Sequence, residues 1–273
     1  MSIVFDFLPS EIKLGLEQVH PSWFDAVVTG LLAIHQEDPG YFENLCATEF
    51  FPTKGRLFAA FELPMDKVRF VLVGEGPYPR EESATGVCFM DGAVDRLWSI
   101  DGSGLSKRVN RATSLRNFIK MLLVTNGQLD EANTSGAAMA EVAQRAIEIN
   151  TDLIQTLPEL QQNLDAQGFL LLNASLVFRK NVAPVKDGRT WQVFFRSICA
   201  SLYKFHSVSP SSMPSLVLWG KIAESLKDIP ELVLLPQILA EHPYNLSFIK
   251  NKRMQDLFRP MKLLNNCQKE KNC

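Results

Sequence analysis

The residues best suited to chemistry follow a short apolar run, Val68 to Val73. The run ends in a loop, Gly74 to Pro79 (GEGPYP), which places a carboxylate and a phenol among two glycines and two prolines. This pattern predicts a buried strand followed by a rigid loop, and ligands of open α/β sheets bind at such strand ends. An aromatic residue, Phe89, follows shortly afterwards. The segment is therefore suited to holding a flat ring.

Two further polar residues follow apolar runs of the same kind. Asn173 ends the run GFLLL, and His242 begins the segment HPYNLS after another apolar run, Leu232 to Leu235. Because the carboxyl ends of parallel strands share one edge of a sheet, we expect Glu75, Asn173 and His242 to converge there. Taken singly, the asparagine is typical of a turn, the histidine of a structural hydrogen bond, and Phe89 of a core. Their combination is much more specific.

The elements that must position these residues alternate along the chain. Short apolar strands separated by amphipathic helices predict an α/β fold, a single domain with a central four-stranded, mainly parallel sheet flanked by helices. We expect the domain to span residues 1–264 and residues 265–273 to form a frayed tail. The predicted strands are 68–73, 168–172, 216–219 and 232–235, and the predicted helices are 23–33, one beginning at Ser114 as its cap, 137–149 and 191–203.

The composition limits the class of protein. An apolar content of 46% with 21% charged residues is typical of a globular protein. No signal peptide and no apolar run of membrane-spanning length is evident. The five cysteines are odd in number, widely spaced and without a C-x-x-C pair, which argues against a disulfide framework, a zinc site and an iron–sulfur cluster. We therefore expect a cytoplasmic monomer without metal, cofactor or membrane association.

The charge distribution favours DNA as a partner, although the net charge is −2. Residues 1–66 carry ten acidic and three basic residues, so the remaining chain has a net charge of +5. Five basic residues and no acidic one lie between 104 and 120, and five more accompany a single acidic residue between 248 and 262. Such patches attract phosphates, although solvated helix faces would look the same. The predicted DNA-binding residues of these patches are Arg108, Arg111, Lys252 and Arg253.

Between about His20 and Pro260, the chain resembles the uracil-DNA glycosylase family. Its GEGPYP…GVCF segment is similar to GQDPYH…GxxFS of that family, GFLLLN to GVLLLN, LVLWG to LLWG, and HPYNLS to HPSPLS. The resemblance implies a hydrolase, a DNA N-glycosylase that flips a uracil or modified pyrimidine out of DNA and cleaves its N-glycosidic bond. The abasic product would belong to DNA repair or to defence against modified foreign DNA.

The resemblance also implies a role for each matching residue. Phe89 would stack on the flipped base, Asn173 would bind its amide edge, and Tyr78 would exclude substituents at the pyrimidine 5-position. His242 would stabilise charge on the departing base, and Leu246 would fill the gap left in the base stack. The residues assigned to DNA phosphates are Ser114 and Ser247.

The departures from the family pattern leave three hypotheses. Gly76 stands where the family has its catalytic aspartate, and Glu75 replaces a glutamine. In the first hypothesis Glu75 takes over and uracil is released. In the second, the missing side chain at Gly76 enlarges the base pocket, which then accepts a modified pyrimidine. Tyr78 argues against a pyrimidine with a large substituent at its 5-position. In the third, the chain is an inactive DNA-binding or replication accessory protein. The sequence names no protein partner.

Overall fold

The computed structural model describes residues 6–208 and 213–266, so most of the predicted tail lies outside the described residues. The predicted fold class is confirmed, because a four-stranded parallel sheet lies among helices. The strand order is β2-β1-β3-β4. The strands are β1 (Phe70–Gly74), β2 (Phe169–Asn173), β3 (Ser215–Trp219) and β4 (Gln237–Ala240).

Strand β1 pairs in parallel with both β2 and β3. Residues of β2 are buried throughout, as expected for a parallel sheet that is covered on both faces. The register places Gly74 opposite Asn173 and Val73 opposite Leu218. The loop after β1 and the asparagine at the end of β2 therefore begin at the same level of the sheet.

The prediction of a fourth strand at Leu232 to Leu235 is wrong. The run begins with the last two residues of a short helix, α10 (Pro230–Val233), and the strand begins only at Gln237. Pro230 occupies the first helical position, where a missing N–H costs nothing, and Pro236 separates helix from strand. Strand β4 is an edge strand, and its residues are only partly buried. Its sequence therefore lacks the continuous apolar signal of the inner strands.

The chain forms two compact units, and the first contains most of the sheet. This unit comprises the described residues within Met1–Gly92, Gly168–Leu218 and Ile222–Leu239. Its largest helix is α8 (Pro184–His206), which is longer than the predicted 191–203 because Pro184 starts it earlier. A Cβ on Gly30 would lie 2.6 Å from the Phe194 ring, so α2 approaches α8 closely. The other helices are α1 (Ser10–Leu16), α2 (Phe24–Glu37), α3 (Tyr41–Cys46) and α9 (Lys221–Leu226), with 3₁₀ turns at Pro21–Trp23, Arg56–Glu62 and Met65–Lys67.

The second unit comprises the described residues within Ala93–Gln167, Trp219–Lys221 and Ala240–Cys273. Its aromatic core packs Phe118 against Trp219 and Phe258 with ring centroids 5.7 and 5.2 Å apart. The expected cap at Ser114 is wrong: α5 starts at Thr113, and no side chain caps it. Its helices are α4 (Lys107–Arg111), α5 (Thr113–Thr125), α6 (Gly136–Ala146), α7 (Leu157–Ala166) and α11 (Lys252–Phe258), with 3₁₀ turns at Leu246–Lys250 and Arg259–Met261.

No helix within the described ranges is both long enough and apolar enough to cross a lipid bilayer.

Candidate active site

In the first unit, close packing brings Asn173 against the start of the loop after β1. A Cβ on Gly74 would overlap the side-chain oxygen of Asn173 and would lie 2.9 Å from the Cβ of Cys88. Only glycine fits at position 74, because the carboxamide of Asn173 takes the space of a side chain there. The parallel register extends past the strands, since the N–H of Ala174 donates to the carbonyl of Gly74 at 2.8 Å.

The carboxamide of Asn173 is available to a ligand. Its residue is only 4% exposed, yet none of the described residues donates a hydrogen bond to this carboxamide or accepts one from it. The carboxamide atoms of Asn173 do not belong to the fully buried side-chain atoms that lack a partner, so they reach the surface, where a ligand can bind them. A carboxamide presents one acceptor and two donor hydrogens, a combination that matches the edge of a pyrimidine.

The loop beyond Gly74 is fixed by its own backbone. The N–H of Cys88 donates to Leu171 O and its thiol to Leu72 O, both at 3.1 Å, which ties the loop to β2 and β1. An antiparallel bridge joins Ala84 to Asp91. These contacts hold the residue that follows Cys88 in a defined position.

Phe89 adopts a strained backbone conformation with φ of 66°. A bulky residue in the left-handed region costs of order 1–3 kcal/mol and persists only where its surroundings enforce it, often at functional sites. Its ring is only partly buried. The loop therefore holds a half-exposed aromatic ring in a conformation that a free chain would avoid, which suits a stacking surface.

Tyr78 lies half-buried in the same loop and carries a neutral phenol. Burial raises the pKa of Tyr78 well above its ordinary value, and the negative charge of Asp91 acts in the same direction. An ionised phenol is thereby disfavoured at neutral pH. The ring can exclude bulk without introducing charge.

The two positions that depart from the family pattern are both exposed. Glu75 accepts a hydrogen bond from Ser175 N–H at 3.1 Å through its backbone oxygen, while no described residue forms an ion pair with its carboxylate. A Cβ on Gly76 would lie 3.6 Å from Ser175 O and 3.8 Å from Ser175 Cβ, which are ordinary contacts. An aspartate at position 76 would thus fit without displacing its neighbours.

In the second unit, the His242 loop (residues 242–247) determines the state of the imidazole. The backbone N–H of Tyr244 donates to Nδ1 of His242 at 3.1 Å, so Nδ1 is an acceptor and the proton of the neutral ring lies on Nε2. The loop approaches the end of β3 closely, because a Cβ on Gly220 would lie 2.7 Å from that of His242. Gly220 has φ of 61°, a second reason for glycine at this position.

Asn117 on α5 positions the His242 loop, a role that was not predicted from the sequence. The residue is 1% exposed, and its side-chain amide donates to the carbonyls of Pro243, Tyr244 and Asn245 at 2.8, 3.3 and 3.4 Å. One buried side chain thus contacts three consecutive carbonyls of the His242 loop. The only sequence signal was an amide among the buried apolar residues of α5.

The residues that were expected to contact DNA from the His242 loop differ in their surroundings. Leu246 is 66% exposed, as a wedge residue requires, and Tyr244 beside it is 67% exposed. The hydroxyl of Ser247 instead donates to the carboxylate of Glu241. A phosphate at Ser247 would lie close to that negative charge, so Ser247 is less suited to a phosphate than the sequence suggested.

The basic residues are partly engaged within the second unit. Lys252 forms an ion pair with Glu131 at 2.6 Å, and Arg108 lies 3.7 Å from Asp95 and donates to Ala93 O. Arg111 is exposed at the end of α4, Arg253 is exposed on α11, and Ser114 lies half-buried in the first turn of α5. The amides of that first turn have no side-chain cap, which favours an anion there.

Comparison with known proteins assigns the family. The crystal structure of wild-type UNG from Nitratifractor salsuginis is 37% identical in sequence, with a TM-score of 0.81 over 93% of this chain and 95% of that one. The chain belongs to the uracil-DNA glycosylase family. This family consists of DNA N-glycosylases, so the predicted family and enzyme class are confirmed.

Curated relatives point to the same family at lower identity. A uracil-DNA glycosylase of a Nocardioides species is 26% identical over 206 residues, which cover 75% of this chain and 70% of the relative. One from Streptococcus mutans is 23% identical over 232 residues, covering 84% and 85%. No protein-family model matches the chain.

Proposed function

We propose that this protein removes uracil from DNA by flipping the nucleotide out of the stack and hydrolysing its N-glycosidic bond. The observation that carries this proposal is the buried carboxamide of Asn173, which lies without a hydrogen-bond partner from the described residues at the carboxyl ends of β1 and β2. Asn173 donates to O4 of uracil and accepts from its N3–H. Cytosine presents the opposite pattern at these two atoms and is rejected, because a mismatched buried hydrogen-bonding group is costly.

Phe89 and Tyr78 define the faces of the bound base in this proposal. The half-exposed ring of Phe89 stacks on uracil. Because the loop holds the Phe89 backbone at φ of 66°, the residue is positioned before the base arrives. The neutral ring of Tyr78 occupies the space beside C5, where thymine carries a methyl group. Together these contacts accept uracil and disfavour thymine.

His242 is proposed to stabilise the leaving group. When the bond between C1′ of the sugar and N1 of the base breaks, both electrons stay with the base and negative charge spreads onto O2. Because Nδ1 accepts the hydrogen bond from Tyr244, the proton of the neutral imidazole lies on Nε2, and we propose that this N–H donates to O2 when the base is bound. A preorganised donor of this kind contributes about a hundredfold to a thousandfold in rate.

Glu75 is proposed as the carboxylate that faces the sugar and the attacking water. The water oxygen forms the new bond to C1′ as the bond from C1′ to N1 breaks, and one of its protons passes to the carboxylate. Glu75 then releases this proton to solvent, and the uracil anion takes one up, so that the enzyme is regenerated. Glu75 is suited to this role because no described residue neutralises its charge. Gly76 has no side chain that could take this role. The space that this leaves also supports a second candidate substrate, a pyrimidine bulkier than uracil.

DNA would be held outside the base site by residues of the second unit. We propose Leu246 as the wedge that replaces the flipped nucleotide, the uncapped first turn of α5 at Ser114 as a phosphate contact, and further phosphate contacts from the exposed basic residues. Ser247, Lys252 and Arg108 would first have to leave their carboxylate partners. The remaining proposed phosphate contacts are Arg111 and Arg253.

The product would be an abasic site, which is the start of base-excision repair or a block to foreign DNA with modified bases. A panel of oligonucleotides tests the substrate: each carries uracil, thymine, cytosine or a 5-substituted uracil, and cleavage at abasic sites after alkali is measured. We expect uracil to be released fastest and thymine not at all. Release of a bulky 5-substituted base in preference to uracil would establish the second candidate substrate instead. Absence of release from every oligonucleotide would contradict the proposal.

A further inference from the structure

A cavity of about 250 Å³ lies in the first unit beside Glu75. Its walls come from three places: the residues after β1 and β2, one face of α8, and α9. Apolar side chains form much of the lining. Three long polar side chains, those of Glu75, Arg189 and Gln192, accompany them, together with two serines, Ser175 and Ser225, whose hydroxyls donate to backbone carbonyls. The apolar lining consists of Ala174, Val185, Phe195, Ile222 and Leu226.

The three polar side chains are uncommitted. Within the described part of the chain, no hydrogen bond or ion pair engages the carboxylate of Glu75, the guanidinium of Arg189 or the carboxamide of Gln192. The carboxylate of Glu75 accepts hydrogen bonds, the guanidinium of Arg189 donates them, and the carboxamide of Gln192 does both. Carboxylate, amide and guanidinium groups of this kind are the ones that pair with the edges of nucleobases.

Gly188 keeps the α8 wall of the cavity open. It lies inside a 23-residue helix, where glycine costs roughly 0.5–1 kcal/mol relative to alanine. Its φ is not positive, and no atom lies within 4 Å of the position of a Cβ. Neither backbone conformation nor crowding therefore requires glycine here, and its visible effect is to leave space in the cavity.

We propose that this cavity binds the base of the nucleotide adjacent to the one that is excised. The proposal rests on the proposed function, because it is DNA that delivers the base. A volume of about 250 Å³ is below the 300–1,000 Å³ of pockets for drug-sized ligands, which suits a single heterocycle on an apolar floor.

The position of the cavity fits a neighbouring nucleotide. Glu75 and Ala174 line it, and each follows directly on Gly74 or Asn173 at the base site. The exposed cations Lys186 and Arg189 lie in the first two turns of α8, where the helix dipole also favours an anion. A base in the cavity would therefore have its phosphate at a positive rim.

The test measures DNA affinity separately from base release. Single-stranded oligonucleotides carry 2′-fluoro-deoxyuridine, which resists cleavage, and the nucleotide on its 5′ or its 3′ side either keeps its base or is a baseless sugar. Fluorescence anisotropy then compares wild type with Gly188→Leu, which fills the cavity. Gly136→Leu on α6 is the matched control, because it too has no atom within 4 Å of a Cβ.

We expect loss of one neighbouring base to weaken binding by wild type and by Gly136→Leu about tenfold, the size of one base-stacking contact. Gly188→Leu should bind the complete oligonucleotide as weakly as wild type binds the baseless one and should not respond to the missing base. Melting curves establish that the variants fold. If Gly188→Leu does not fold, Arg189→Ala replaces it as the test, because it removes one polar lining side chain without adding bulk, and it should also lower affinity.

Equal wild-type affinities with and without each neighbouring base would overturn the proposal and would leave the cavity to some other ligand, such as a side chain of a protein partner. Uracil release is measured in parallel on ordinary uracil oligonucleotides. Absence of release with base-sensitive binding contradicts the proposed function but supports the cavity as a base site. Release with base-insensitive binding contradicts the cavity proposal alone.

Discussion

The loop Gly74–Gly92 and the His242 loop are held by different means. The first is fixed by backbone contacts that continue the sheet: the N–H groups of Ala174, Ser175 and Cys88 all bond to carbonyls of neighbouring strands or loops. The second is fixed mainly by one buried side chain, that of Asn117, which is 126 residues away from Pro243 in sequence. A loop held by backbone hydrogen bonds keeps its shape when a side chain is removed but not when an added side chain overlaps its neighbours. A loop held by one side-chain amide loses its support when that amide is removed.

The largest effect is expected from Gly74→Ala in the first loop. The added methyl group would occupy the space of the Asn173 side-chain oxygen, and a displacement of about 1 Å at a reacting group can cost about a hundredfold in rate. We expect uracil release to fall by at least that factor. Gly76→Ala is the control, since its Cβ is 3.6 Å from the nearest atom, and it should keep most of the activity. Equal losses in both variants would show that the contact with Asn173 is not the cause.

Glu75→Gln tests the carboxylate of the same loop. The change preserves shape and removes charge, so we expect release to slow about a hundredfold, in the range found when one preorganised group is removed, while DNA affinity is retained. Gly76→Asp in the Glu75→Gln background should restore part of the rate, because the Cβ at position 76 has room. Single-turnover kinetics distinguish the cases, and an unchanged rate in Glu75→Gln would remove this residue from the mechanism.

Asn117→Ala tests the second loop. Three carbonyls lose their donor, so the free energy of unfolding should fall by about 1–3 kcal/mol and release by about tenfold as His242 loses its support. Asn163→Ala is the matched control, because Asn163 is also buried and donates to the carbonyls of Leu263 and Asn265 at 2.8 and 2.9 Å. It should destabilise the fold without a comparable loss of rate. If the rate of uracil release falls by the same factor in both variants, Asn117 contributes to stability but does not position His242.

The smallest effect concerns the charges of the second unit. Glu131 holds Lys252 at 2.6 Å, so Glu131→Gln should free this ammonium group and raise DNA affinity about twofold to fivefold at low salt. Glu231→Gln changes the net charge equally but releases Arg196 in the first unit, and it should have little effect. If both variants bind DNA equally, the net charge matters and the position of Lys252 does not.

The same contrast explains what could be predicted from the sequence. Three strands were evident because strands of a parallel sheet that are covered on both faces are continuous apolar runs, as in Phe169–Asn173, which is buried throughout. The loop residues Glu75, Tyr78 and Phe89 were evident because glycine and proline mark the turn that carries them. Strand β4 was missed because its residues are only partly buried and give no continuous apolar run, and a neighbouring helix was more apolar.

The residues that were missed act over long sequence distances. Asn117 donates to a loop more than a hundred residues away, and Glu131 forms an ion pair with Lys252, which lies 121 residues away. Gly188 was not noticed because its meaning depends on the cavity beside it. Such contacts follow from the tertiary fold and leave no local pattern in the sequence.

The most direct test of the central claim is the rate of uracil release by wild type and by Asn173→Ala under single-turnover conditions. Free uracil and the abasic strand are both quantified, and binding to a uracil-free oligonucleotide is measured alongside. We predict that wild type releases uracil, that Asn173→Ala is slower by about a hundredfold or more because O4 and N3–H lose their partner, and that non-specific binding changes by less than about twofold, since phosphate contacts provide it. Release by Asn173→Ala at the wild-type rate would contradict the account.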